Sequence, residues 1–145
     1  MKKYIILISI YNDWKSATRV LQEIDLIISK WDADVSALIV NDASTEKRML
    51  IKSNFNNIKS LRVMNMKKNR GHARCNAAGL KFLTEKEDFD YVILMDGDGE
   101  DDPFQIDAML KEARKSQNLI ITSNRKKRKE SIIIRVLYRI HLVVT

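Results

Sequence analysis

The sequence predicts an α/β domain of three layers, a mainly parallel sheet with helices on both faces. Apolar, β-rich runs alternate with helical stretches along the chain, the pattern of repeated strand–helix–strand units. The chain has 145 residues and is 45% hydrophobic, enough to bury one compact core. The apolar runs also end in polar loops, and right-handed crossovers would gather those loops on one sheet edge.

Tyr4 to Ile10 reads as the first strand. Asp13 is placed to cap a helix through about Lys30, with Val20, Leu21, Ile24, Ile27 and Ile28 at helical spacing. Val35 to Val40 is the second strand, and Ser44 can cap a short helix ending near Asn54. Leu61 to Met64 is a weaker third strand, followed by an Ala-rich helix from Gly71 to Leu83. Tyr91 to Met95 is the fourth strand, and Pro103 opens a helix to about Lys115. Leu119 to Thr122 reads as a fifth strand and Ser131 to about Val144 as a last helix.

Charged residues make up 31% of the chain, and the net charge is +7. The charge is uneven. Seven basic residues and one acid, Glu130, fall between Asn124 and Thr145, so that segment carries +6 and the rest about +1. The tail should meet something anionic. A lone cysteine, Cys75, excludes a disulfide framework and fits a reducing, cytoplasmic setting; it reads as a small buried helix residue. Neither a signal peptide nor a membrane-spanning run is expected.

Chemistry should lie outside the carboxyl ends of the strands, where open α/β sheets bind ligands. The densest group there is Asp96-Gly97-Asp98-Gly99-Glu100. Carboxylates at every second position crowd negative charge into one loop, which suits Mg²⁺ or Mn²⁺ sharing its shell with substrate phosphates. A solvated acidic turn before a helix is the equal alternative, since Asp101, Asp102 and Pro103 resemble a helix start.

Four motifs stand in order: Ile8-Ser9-Ile10-Tyr11-Asn12-Asp13, Val40-Asn41-Asp42-Ala43-Ser44-Thr45-Glu46, Asn69-Arg70-Gly71 with Ala73 and Gly79-Leu80, and Met95 to Glu100 with Asp102-Pro103. Together they resemble the family 2 inverting glycosyltransferases of GT-A fold, a Rossmann-like three-layer sandwich. The nearest likeness is to the dolichyl- or polyprenyl-phosphate sugar transferases. The resemblance implies a donor site for a nucleotide sugar. In it Tyr11 packs near the nucleobase and Asp42 accepts a hydrogen bond from the base, or else caps the next helix. Ser9, Asp13, Gly71 and Gly97 complete the loops around the donor. Asp96 and Asp98 correspond to the family's DxD-type motif at the ribose and the metal, with Glu100 as a third metal ligand. Arg125 would bind phosphate, and Asp98 and Arg125 would carry catalysis by neutralising the leaving diphosphate.

The chain departs from the family pattern in places. Ser9 stands for a frequent proline, Asn41 for the first of two aspartates, and Ala43 for a glycine. Asn76-Ala77 and Ser123-Asn124 replace the usual pairs, and His72 occupies a position often held by lysine and is given no role. The chain is also short for the family. Residues 1–130 are expected to be the donor-binding domain and 131–145 an amphipathic basic helix that begins a missing acceptor or membrane region. The usual catalytic base would lie beyond Thr145. A lipid-phosphate acceptor, already anionic, needs less help from a base.

The last helix places Ile132, Ile133, Val136, Leu137, Ile140 and Val144 as apolar positions, with Arg135 and Arg139 sharing a face. Its 15 residues would reach about 22 Å, too short to span a bilayer. It can lie on an anionic membrane surface through 125–145 or pack its apolar side on protein. The rival to an enzyme is a nucleotide-sugar-binding module that works with a partner chain. A phosphatase with its Asp-x-Asp after the first strand, an EF-hand and a nucleic-acid binder fit poorly. The basic run 125–129 lacks interleaved aromatics, and acidic loops repel phosphate backbones.

Overall fold

The structure is a computed structural model that describes residues 1–47, 54–115 and 120–122. Four strands, β1 (Lys2–Ile10), β2 (Ala33–Asn41), β3 (Ile58–Asn65) and β4 (Tyr91–Asp96), form an all-parallel sheet in the order β3-β2-β1-β4. Helix α1 (Trp14–Ile28) connects β1 to β2, and α2 (His72–Lys86) connects β3 to β4. The first crossover runs one way along the sheet and the second runs back, so right-handed connections put the two helices on opposite faces. This is an α/β, Rossmann-like arrangement, as the sequence predicts. The chain divides into two compact units, Met1–Ile106 and Asp107–Thr145.

The register explains the core. Ile5, Leu7 and Ser9 of β1 lie level with Ser36, Leu38 and Val40 of β2 and with Val92, Leu94 and Asp96 of β4. Paired residues of parallel strands share a face, and alternate residues take the other. Ile5, Leu7, Leu38 and Val40 pack with Cys75 and Leu83 of α2. The other face holds Ile6, Ile8, Val35 and Ile39, all buried, and α1 contributes Trp14, Ala17, Val20, Leu21 and Ile24 to the core. Both faces are covered, so the central strands read as continuous apolar runs. A Cβ at Gly79 would lie 2.7 Å from both Leu7 Cδ1 and Val40 Cγ2, so glycine is what lets α2 approach the sheet.

Several expected boundaries change. The weak third strand is longer than its apolar centre, because pairing with β2 carries polar residues at both ends into the ladder. Asp13 holds the N-cap position of α1 but caps nothing with its side chain. Its backbone, at φ −94° and ψ 30°, lies outside the extended region from which a cap side chain reaches back. Of the fifth strand, Leu119 lies outside the described residues, and Ile120 to Thr122 pair with no strand. Ile120 is 92% exposed, so an apolar run there does not mean a buried one. The short helix after Ser44 falls mostly on residues 48–53, and the helix of 131–144 entirely, outside the described residues.

In the second unit, α3 (Ile106–Lys115) has Asp107 in its first turn and Arg114 and Lys115 in its last, as the helix dipole favours. No helix among the described residues is long and apolar enough to cross a membrane.

Candidate functional site

All four strands end on one edge of the sheet. The loops after β1 and β2 are joined there by side chains. Asn12, at φ 66°, receives the Thr45 and Glu46 amides on its Oδ1 at 2.9 and 3.0 Å, and its own amide donates to Ser44 Oγ at 2.8 Å. Asn tolerates this left-handed conformation better than most residues. Asn41 binds both ways: its Oδ1 accepts from the Ser44 amide at 3.0 Å and its Nδ2 donates to Asn65 Oδ1 at 3.0 Å. An aspartate at this position has no donor to offer Asn65.

Asp42 is 3% exposed. Its Oδ1 accepts from the Arg70 amide at 2.9 Å and its Oδ2 from the Gly71 amide at 2.8 Å. Sequence reasoning offered a base contact or a helix cap for this residue; the structure adds the job of holding the loop that starts α2. Gly71, at φ 84°, is the backbone N-cap of that helix. Cys75, one turn further, is fully buried, and burial foremost, with the Asp42 charge, pushes its thiol up to about 11. That keeps it a packing residue rather than a nucleophile.

The β4 loop turns closely against β1. The Gly97 amide donates to the Ser9 carbonyl at 3.2 Å. A Cβ on Gly97 would sit 2.5 Å from Ile10 Cγ2 and 2.9 Å from the Ser9 oxygen, so only glycine fits. Asp98 and Glu100 are exposed, and Asp98 Oδ1 accepts from the Glu100 amide at 2.8 Å. Asp102 caps the following turn, accepting from the Phe104 amide at 3.0 Å. Tyr11, 43% exposed, and Asp13 lie beyond the end of β1 on the same edge. Arg125 lies outside the described residues.

Among the described residues, no three His, Cys, Asp or Glu side chains are grouped so as to hold a metal ion. Asp96, Asp98 and Glu100 therefore do not form a protein cage. Their side chains offer oxygen donors, the ligand type that hard cations take.

His72 is the residue that sequence reasoning passed over. It is the first residue of α2, yet its ring reaches both β1 and β4. Ser9 Oγ lies 3.0 Å from Nδ1, and Asp96 Oδ1 lies 3.2 Å from Nε2. Asn76, one turn along α2, brings its Nδ2 within 2.8 Å of Nε2. The only advance signal was a histidine directly after the glycine of the third motif.

Curated proteins give no match to the chain. Among solved structures, the crystal structure of S. aureus TarS 1-349 is similar, with a TM-score of 0.54 and 22% identity. The match covers 79% of this chain and 33% of that one, so the chain spans about a third of the neighbour's length. At that identity the likeness speaks for the fold. The model of glycosyl transferase family 2 matches residues 5–141, nearly the whole chain, and the chain therefore belongs to that family.

Proposed function

We propose that this domain binds a nucleotide-sugar donor across the carboxyl ends of β1, β2 and β4 and transfers the sugar, with inversion, to a polyprenyl-phosphate acceptor. The observation that carries the reading is the gathering of Tyr11, Asp42, Gly71, Asp96 and Asp98 along one sheet edge of a family 2 chain. In this reading Tyr11 offers its exposed ring to the base. Asp42 meets the base with its remaining lone pairs while setting the loop at Gly71. Ser9, Asp13 and Gly97 shape the floor, with Gly97 letting the β4 loop pack closely on β1.

Asp96 and Asp98, with Glu100 beside them, would hold Mg²⁺ or Mn²⁺ jointly with the diphosphate. When bound, such a cation neutralises charge on the leaving group. Arg125 would add a guanidinium fork to the same phosphates. The acceptor phosphate oxygen attacks the anomeric carbon as the bond to the diphosphate oxygen breaks on the opposite side. An acceptor already ionised at neutral pH has no proton to lose, so this transfer needs no general base. A lipid acceptor would be met at the cytoplasmic face of a membrane, with 125–145 resting on anionic lipid.

A second reading is a nucleotide-sugar-binding module that works with a partner chain. A thermal-shift screen of nucleotide sugars with and without Mn²⁺, followed by assay on a polyprenyl phosphate, separates the two. Binding with turnover supports the transferase. Binding without turnover supports the module, and no binding of any nucleotide sugar defeats both.

A further inference from the structure

The Ser9, His72, Asp96 and Asn76 side chains form a cluster that the proposed reaction does not by itself require. Sheet register brings it together. Ser9 and Asp96 are paired residues of β1 and β4, so they stand level on one face. That is the face on which α2 packs, and His72 sits where α2 begins. Ser9 is 6% exposed and Asn76 7%, whereas more than half of the His72 side chain is open to solvent. A ring so exposed adds little to the core, and its contacts are polar on both nitrogens.

Donor and acceptor counting selects the tautomer. A carboxylate only accepts, so the approach of Asp96 Oδ1 to 3.2 Å, an ion-pair distance, favours a proton on Nε2. Nδ1 then accepts from the Ser9 hydroxyl, which can donate by rotation, at 3.0 Å. Asn76 is placed with Nδ2 2.8 Å from Nε2 and with its buried Oδ1 unpartnered; reversing the amide, whose O and N ends are told apart only by their hydrogen bonds, lets Oδ1 accept from the same Nε2–H and fills that gap. With the opposite tautomer, a bare Nε2 would face a carboxylate oxygen, lone pair against lone pair.

We propose that His72 is a positioning residue: its Nε2–H orients the Asp96 carboxylate, and Ser9 at Nδ1 fixes the tautomer that makes this possible. The inference rests on the reading of Asp96 as a donor-site carboxylate. Partners that orient a metal- or ligand-binding carboxylate set affinity without touching the ligand.

The test has two arms. The first is ¹⁵N NMR of the imidazole in the whole chain, at a pH where the ring is neutral. An Nε2–H tautomer is expected, changing in Asp96→Asn and becoming a mixture in Ser9→Ala. An Nδ1–H tautomer in the unaltered protein overturns the inference. The second arm is calorimetric titration of UDP, GDP, ADP and CDP, each with Mn²⁺. His72→Ala should weaken whichever nucleotide binds by about 10–100-fold, the usual cost of losing an orienting partner, with little change in Tm. His72→Gln, whose side-chain amide stands about where Nε2 was, should recover most of that loss. His72→Asn, which imitates Nδ1, should not. Equal binding by all variants, or equal loss with Gln and Asn, overturns the inference. If the unaltered protein binds no nucleotide, the donor reading falls, while the NMR arm still decides the His72–Asp96 bond.

Discussion

Both carboxylate oxygens of Asp42 are taken by the backbone of Gly71 and its neighbour, the Gly71 amide at 2.8 Å and the Arg70 amide at 2.9 Å. One side chain at the end of β2 thereby fixes the entry to α2, nearly thirty residues away, and with it the place of His72. Two amides on one buried carboxylate are charge-assisted bonds, stronger than neutral ones.

Asp42→Asn keeps one acceptor and turns an NH₂ toward the second amide. The protein should lose about 1–3 kcal/mol, the penalty for leaving a buried donor unpaired. Urea unfolding measures the loss, and the Gly71 amide should exchange with solvent faster. An unchanged midpoint would mean the clamp contributes nothing.

Ala43 adopts φ 57°, a left-handed conformation that crowds its Cβ against the backbone. Ala43→Gly relieves roughly 1–2 kcal/mol of that crowding and gives back part of it to the freer unfolded chain, leaving a gain of about 0.5–1 kcal/mol. The expected result is a higher urea midpoint with the same slope. A lower midpoint would show that the loop holds Ala43 without strain.

Asp25 is 6% exposed and receives the amides of Asn56, Asn57 and Ile58 at 3.0, 2.8 and 2.8 Å. Burial pushes its carboxyl up, but these amides, which favour the charged form, outweigh it and hold the group below its ordinary 3.8. A folded-state value below the unfolded one gives stability that is complete above the unfolded value and is lost as pH falls through the folded one. Unfolding free energy should therefore drop in acid below about pH 4. Asp25→Asn should be less stable at neutral pH and show a shallower acid decline. A decline of the same steepness would place the acid-sensitive group elsewhere.

Asp98→Asn separates charge from shape. The Asn oxygen can still accept from the Glu100 amide, so the loop and the Tm should be kept. Mn²⁺-dependent nucleotide binding should fall by at least about tenfold, since an amide is a much poorer ligand for a hard cation than a carboxylate. Calorimetry showing equal binding in both proteins would leave the acidic loop as a turn.

Much of this domain is legible in the chain itself. Tyr4 to Ile10 and Val35 to Val40 are continuous apolar runs because both sheet faces are covered, and α1 repeats its apolar residues every three or four positions. These are local patterns, and local patterns survive in sequence. The four motifs carry the family for the same reason, since each is a few adjacent residues.

Tertiary structure decided what depends on pairing. Ile120 is apolar but lies exposed, because an apolar run becomes a strand only where a neighbour pairs with it. The role of Asp42 waited on two amides brought over by the path of β3 to α2. His72 looked like a loop histidine because its partners come from β1, sixty-three residues before it, and from β4. The sequence by itself determined the four strands of the sheet, the helices α1 and α2 that join them, and which residue types gather at their ends. Only the register of β1 against β4 decided that Ser9 and Asp96 share a face where one histidine can touch both, because a shift of one residue would turn either side chain to the opposite side of the sheet.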